Sequence, residues 1–79
     1  MAMSPRQYVV VENKALRQFA QRYGYCLSPA ALAREAEMQL RTEGADLEGM
    51  EMTLRSGQLA LRLKRRGNQW FITEIDRRQ

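Results

Sequence analysis

Side chains that commonly carry out enzyme chemistry are scarce in this 79-residue chain, which has no histidine and a single cysteine, Cys26. A serine or cysteine triad needs an imidazole to take the proton of its nucleophile, so one chain cannot build that kind of site. Structural zinc sites are made mainly from cysteine and histidine, so they are excluded in the same way. We therefore expect no metal site and no nucleophilic catalysis.

Loops that bind phosphate or a dinucleotide are also missing, because the 5 glycines occur singly and neither glycine-rich spacing is present. The carboxylates available for acid–base work fall on a predicted helix face or near a strand end, where acidic side chains usually keep a surface soluble. These carboxylates are Glu35, Glu37, Glu43, Glu74 and Asp76. We expect no catalytic residue and no cofactor, and we predict that the protein is not an enzyme.

The residues best suited to binding are basic, and they are concentrated in the last third of the chain. The chain has 13 Lys and Arg against 9 Asp and Glu, a net charge of +4. Residues 1–54 hold 6 basic and 7 acidic side chains, whereas residues 55–79 hold 7 basic and 2 acidic ones. Such cations can neutralise phosphates or meet an acidic protein surface, and an aromatic ring can stack on a base. The predicted contact residues are Arg62, Lys64, Arg65, Arg66 and Trp70, with Arg55 as a secondary contact.

Two C-terminal runs, 50–54 and 59–64, have apolar residues at every second position, which predicts two half-buried strands. We interpret Ser56-Gly57 between them as the two-residue turn of a hairpin. That turn places the apolar side chains of both strands on one face, which we call the leucine face. The predicted pairs are Leu54 with Leu59, Met52 with Leu61, Met50 with Leu63, and Glu51 with Arg62.

A second turn, at residues 65–68, leads into a third predicted strand, Gln69–Asp76. Its register stays open, because two loop lengths fit the sequence. Trp70 and Ile72 join the leucine face if Arg66-Gly67 is the loop, and Phe71 and Thr73 join it if a three-residue loop ends at Gly67.

In either register, apolar residues remain on both sides of the third strand. A domain of this size has few elements with which to cover a second sheet face. We therefore expect Phe71 and Ile75 to form an apolar surface for a second copy of the chain or for another partner.

Ser28-Pro29 has the pattern of a helix start, since serine caps free N–H groups and proline suits the first helical position. The good helix formers that follow predict a helix over 29–43, ended by Gly44. One apolar stripe, formed by Leu32, Ala33, Ala36 and Leu40, faces the core.

The N-terminal segment has two interpretations. Ser4 and Gln7 have the spacing of a capping box, which favours one helix over 5–23. The β-branched run at 8–11 favours a short strand followed by a helix over 14–23, with Asn13 as its cap. We favour the strand.

Together these patterns predict one small α+β domain over residues 1–79. Its helical part spans about 5–44, and a three-stranded antiparallel meander over about 50–76 packs on the two helices. A core of this size is marginal on its own, so self-association or a docked partner would stabilise it.

We therefore predict a small, cytoplasmic, non-catalytic protein that binds through its basic C-terminal sheet, as an adaptor, regulator or inhibitor of another protein. The lone cysteine favours a reducing compartment, and no apolar run is long enough to cross a membrane. The alternative partner is nucleic acid. Helices at 14–23 and 29–43 followed by a basic hairpin resemble a winged-helix domain.

Overall fold

The computed structural model of the protein describes residues 8–43 and 51–77, without the side chains of residues 42 and 43. The elements in chain order are β1 (Val9–Val11), α1 (Asn13–Tyr23), α2 (Pro29–Glu43), β2 (Glu51–Ser56), β3 (Leu59–Arg66) and β4 (Gln69–Arg77). The predicted α+β class, the two helices and the antiparallel β2–β3–β4 meander are confirmed. The predicted capping box, the stop at Gly44 and the pairing of Met50 lie outside the described residues.

The N-terminal strand has a larger part in the fold than the sequence suggested. β1 forms where the β-branched run predicted it, so the interpretation as one long helix is wrong. It pairs in parallel with β4, which makes the sheet mixed, in the order β1-β4-β3-β2. The Tyr8 carbonyl accepts from the Trp70 N–H at 2.8 Å, and the Glu12 N–H donates to the Ile72 carbonyl at 3.2 Å. Glu12, not Asn13, is the N-cap of α1.

Both helices have local sequence signals at their ends. α1 ends at Gly24, whose φ of +83° is left-handed and whose N–H donates to the Ala20 carbonyl at 2.8 Å. Glycine adopts this conformation without a steric penalty. At the start of α2, the Ser28 hydroxyl oxygen accepts from the Ala31 N–H at 3.3 Å. The predicted helix 29–43 is confirmed at both of its ends.

The register predicted for the first hairpin is wrong by two positions. The turn is Gly57-Gln58, with Gly57 at a φ of +62°. Only glycines have positive φ among the described residues, so this is a type II′ turn, which requires glycine at its first central position. A shift of two positions leaves each side chain on its predicted face, so the leucine face is correct. The observed pairs are Ser56 with Leu59, Leu54 with Leu61, Met52 with Leu63, Thr53 with Arg62, and Glu51 with Lys64.

The second hairpin also has a two-residue turn, Gly67-Asn68, one position later than the two-residue loop considered from the sequence. Trp70 and Ile72 lie on the leucine face, as that register predicted, and both are buried. Gly67 has a φ of +61°, so both hairpins have a glycine with positive φ at the first central position of the turn.

A β-bulge in β4 overturns the prediction that Ile75 is a surface residue. The β3–β4 register shifts between Arg62 and Leu63, so that Leu63 pairs with Ile72 but Arg62 pairs with Glu74. The extra residue in β4 reverses the alternation of the side chains that follow. Ile75 therefore points into the core and is 6% exposed.

The core lies between the two helices and the leucine face of the sheet. Its buried side chains are Val9, Ala15, Phe19, Leu32, Ala36, Leu40, Leu54, Leu61, Leu63, Trp70, Ile72 and Ile75. The stripe predicted for α2 is confirmed, since three of its members belong to this core and Ala33 packs beside it. No helix within residues 8–43 and 51–77 is long and apolar enough to cross a membrane.

Candidate binding surface

The helices cover one face of the sheet, and none of the elements within residues 8–43 and 51–77 covers the other, which we call the outer face. Side chains alternate between the two faces along each strand, so the pairing register identifies the members of the outer face. They include Val10, Glu51, Thr53, Arg55, Ala60, Arg62, Lys64, Arg66, Phe71 and Glu74. Arg55, Arg62 and Lys64 therefore point away from the leucine face.

An aromatic ring surrounded by cations lies on this outer face. Phe71 is half-buried and does not belong to the core. It pairs with Val10 in β1 on one side and with Lys64 in β3 on the other. The Arg66 Cζ atom lies 5.6 Å from the centroid of the Phe71 ring, which is within range of a cation–π interaction. We call these four residues the Phe71 patch.

Val10 is the member of the patch that sequence reasoning missed. It lies 61 positions before Phe71 in the chain, and only the parallel pairing of β1 with β4 brings the two together. No signal in the sequence specifies that pairing, because a run of three valines fits several registers equally well.

Two other predicted cations on the outer face have different surroundings. Arg62 lies beside Glu74, with Nη1 and Oε1 3.3 Å apart and both side chains more than half exposed. This ion pair reduces the charge that Arg62 offers to a partner, although solvent screening keeps the pair weak. Arg55 is exposed on the edge strand β2, and its main-chain carbonyl accepts a hydrogen bond from the Gln39 amide of α2.

Arg65 is not on the outer face. It pairs with Trp70, so it alternates towards the helix side of the sheet, and it is half-buried. Its Nε–H donates to the Gly67 carbonyl at 3.0 Å, which holds the guanidinium against the turn. Arg65 therefore contributes positive charge near the patch without facing in the same direction as Lys64 and Arg66.

The prediction that Trp70 contacts a partner is wrong. Its side chain is 1% exposed and packs in the core, so its ring cannot stack on a base. Its indole Nε1 is buried and has no hydrogen-bond partner among the described residues. Side chains alternate along β4, so Phe71, the next residue, lies on the outer face as predicted.

Three of the carboxylates considered for acid–base work lie in surface ion pairs with arginines, and a fourth, Glu35, accepts a hydrogen bond from the Gln39 amide at 3.2 Å. Arg41 Nη2 lies 2.7 Å from Glu37 Oε2 one turn away on α2, and Arg22 Nη1 lies 2.8 Å from Asp76 Oδ1. Glu74 pairs with Arg62, as described above. Each of these three carboxylates lies beside its own cation, which is not the paired arrangement that acid–base catalysis uses.

The two helices and the two hairpins share one core. The apolar stripe of α2 packs on the leucine face, and the meander is part of the core rather than an extension beside it. Comparison of the chain with protein-family models, with curated proteins and with solved structures gave no match. The geometry of the outer face is therefore the basis for assigning a function.

Proposed function

We propose that this chain is a small non-catalytic binding protein whose partner docks on the outer face of the sheet, centred on the Phe71 patch. The observation that supports this most directly is the half-buried Phe71 ring with Arg66 above it and Lys64 paired beside it. Aromatic residues and arginine carry much of the binding energy in protein interfaces, and charged side chains around them exclude water and select the partner.

The preferred partner is an acidic segment of another protein that also has an apolar side chain. Phe71 and Val10 offer an apolar contact, and Lys64 and Arg66 offer two cations at its border. Acidic side chains next to the contact would complement these cations and raise the rate of association.

A second candidate partner is single-stranded nucleic acid, and the position of Phe71 is the observation that favours it. Phe71 lies on a central strand of an open sheet face, where a base could stack on its ring while Lys64 and Arg66 meet phosphates. The acidic residues Glu51 and Glu74 on the same face make this candidate weaker, because they repel a phosphate backbone.

Affinity capture from the native cell with the full chain as bait tests the proposal. We expect Phe71→Ser and Arg66→Glu each to lose the captured partner. Tyr25→Ser and Arg34→Glu are the controls, because both residues are exposed outside the outer face; the first change also removes an aromatic ring and the second also reverses the charge of an arginine. Equal capture by all four variants would refute the proposal.

Nuclease treatment and the Phe71→Leu variant separate the two candidates. A protein partner should survive nuclease, and leucine should retain part of its apolar contact. A nucleic-acid partner should be lost with nuclease, and leucine should weaken binding by about 1–3 kcal/mol because stacking is lost.

A further inference from the structure

β2 is an edge strand whose outward main-chain groups can be identified from the hairpin. In a hairpin with a two-residue turn, the residues that flank the turn form a hydrogen-bonded pair, and hydrogen-bonded and non-hydrogen-bonded pairs then alternate. Ser56, Leu54 and Met52 therefore bond to β3. The N–H and carbonyl groups of the alternate residues, Glu51, Thr53 and Arg55, therefore point away from the sheet. The Gln39 amide bonds to the carbonyl of one of these, Arg55, which agrees with this assignment.

The sequence of β2 is complementary to itself when the strand is reversed about Thr53. In an antiparallel pair centred there, Glu51 of one copy lies opposite Arg55 of the other, at both ends of the pair. Met52 lies opposite Leu54 on the leucine face, and Thr53 lies opposite its own counterpart. Opposite charges and threonine pairs directly across two strands are both stabilising.

We propose that a second copy of this chain docks on β2, antiparallel and with a two-fold axis through Thr53, so that the sheet continues from one copy into the other. The outward groups of Glu51, Thr53 and Arg55 are the ones such pairing uses, and all three side chains are exposed. A two-fold axis satisfies both charge pairs at once, because each residue meets its complement in the other copy.

The bond from Gln39 to the Arg55 carbonyl does not block this pairing. The Gln39 Nε2 also lies 3.2 Å from Glu35 Oε2 on the same helix, so it has a second acceptor when a strand takes the carbonyl. The other edge of the sheet is less suitable. β1 has only 3 residues, all of them valine, and offers no charge complementarity.

Sedimentation equilibrium of the full chain over a range of concentrations tests the dimer by charge reversal. Glu51→Arg alone places like charges at both ends of the strand pair, and so does Arg55→Glu alone. We expect each variant to dimerise at least about tenfold more weakly than the wild type. An equimolar mixture of the two should recover wild-type affinity, because one copy is then positive at both positions and the other negative.

Thr53→Pro is a second, independent variant. The Thr53 N–H points outward, so proline at this position removes central hydrogen bonds of the dimer without removing any bond to β3. We expect Thr53→Pro to be monomeric and Thr53→Val, which keeps the N–H, to dimerise. Phe71→Ser should dimerise like the wild type, which separates this inference from the proposed function.

Three results would overturn the inference. One is a wild-type chain that stays monomeric at every concentration, another is a pair of single charge variants that dimerise as well as the wild type, and the third is a mixture that recovers nothing. Circular dichroism of each variant confirms that its fold is retained.

Discussion

Ile72 and Ile75 lie three positions apart in β4, yet both are buried on the leucine face, with exposures of 0% and 6%. In a regular strand, residues three apart point to opposite faces. The register shift opposite Arg62 and Leu63 makes the exception, and Thr73 is the residue that occupies the extra position. As a result β4 contributes three large side chains, Trp70, Ile72 and Ile75, to the core.

The bulge predicts that substitutions of Phe71 and Ile75, which the sequence analysis placed on one apolar surface, lower stability by different amounts. Ile75→Ala should lower the free energy of unfolding by about 2–4 kcal/mol, since it removes buried methyl groups and leaves a cavity. Phe71→Ala should cost about 1 kcal/mol or less, because it removes a half-buried ring and a cation–π contact. Urea denaturation of both variants measures the difference, and similar losses for the two would contradict the bulge.

Trp70 offers a test of its buried indole nitrogen, which has no hydrogen-bond partner within residues 8–43 and 51–77. Trp70→Ala should destabilise the fold by about 3–5 kcal/mol through loss of a large buried side chain. Trp70→Phe should stay within about 1 kcal/mol of the wild type, because it removes a buried donor that no described residue satisfies, and this offsets part of the lost packing. Thermal unfolding followed by circular dichroism compares the two, and a loss for Trp70→Phe as large as for Trp70→Ala would contradict this expectation.

The corrected turn predicts which hairpin residue is sensitive to substitution. Gly57→Ala should destabilise the fold by about 1 kcal/mol, because a side chain at a φ of +62° is strained. The strain is conformational, since a Cβ atom at Gly57 would meet nothing within 4 Å. Gln58→Ala is the matched control and should change stability by less than about 0.5 kcal/mol. Equal effects would favour a turn with different boundaries.

Tyr23 at the end of α1 predicts a local effect on the last residues of β4. Its hydroxyl oxygen accepts from the Arg77 N–H at 3.3 Å, beyond the point where β1 ends. Tyr23→Phe should remove about 1 kcal/mol of stability and speed hydrogen exchange at the Arg77 amide. Exchange at the Trp70 amide, which donates to the Tyr8 carbonyl just before β1, is the internal control and should keep its rate relative to global unfolding.

Local patterns in the sequence predicted the elements and their faces, although the turn positions and the N-cap of α1 were each wrong by one residue. Ser28-Pro29 and the helix formers after it predicted α2 with its observed bounds, and the β-branched run predicted β1 within one residue. Alternating leucines predicted the inner face of β2 and β3 although the register was wrong, because a shift of two positions preserves the side on which each residue lies.

What only the tertiary structure decided depends on contacts between residues far apart in the chain. The parallel pairing of Val10 with Phe71 joins segments that local patterns describe separately, and it creates the Phe71 patch. The bulge between β3 and β4 moved Ile75 into the core, and register placed Trp70 there while leaving Phe71 outside. Local propensity specifies strands and the period of their faces, whereas strand order and bulges follow from how the whole core packs. For that reason the sequence located the basic C-terminal charge and three members of the Phe71 patch, but it missed Val10 and wrongly placed Trp70 and Ile75 at the surface.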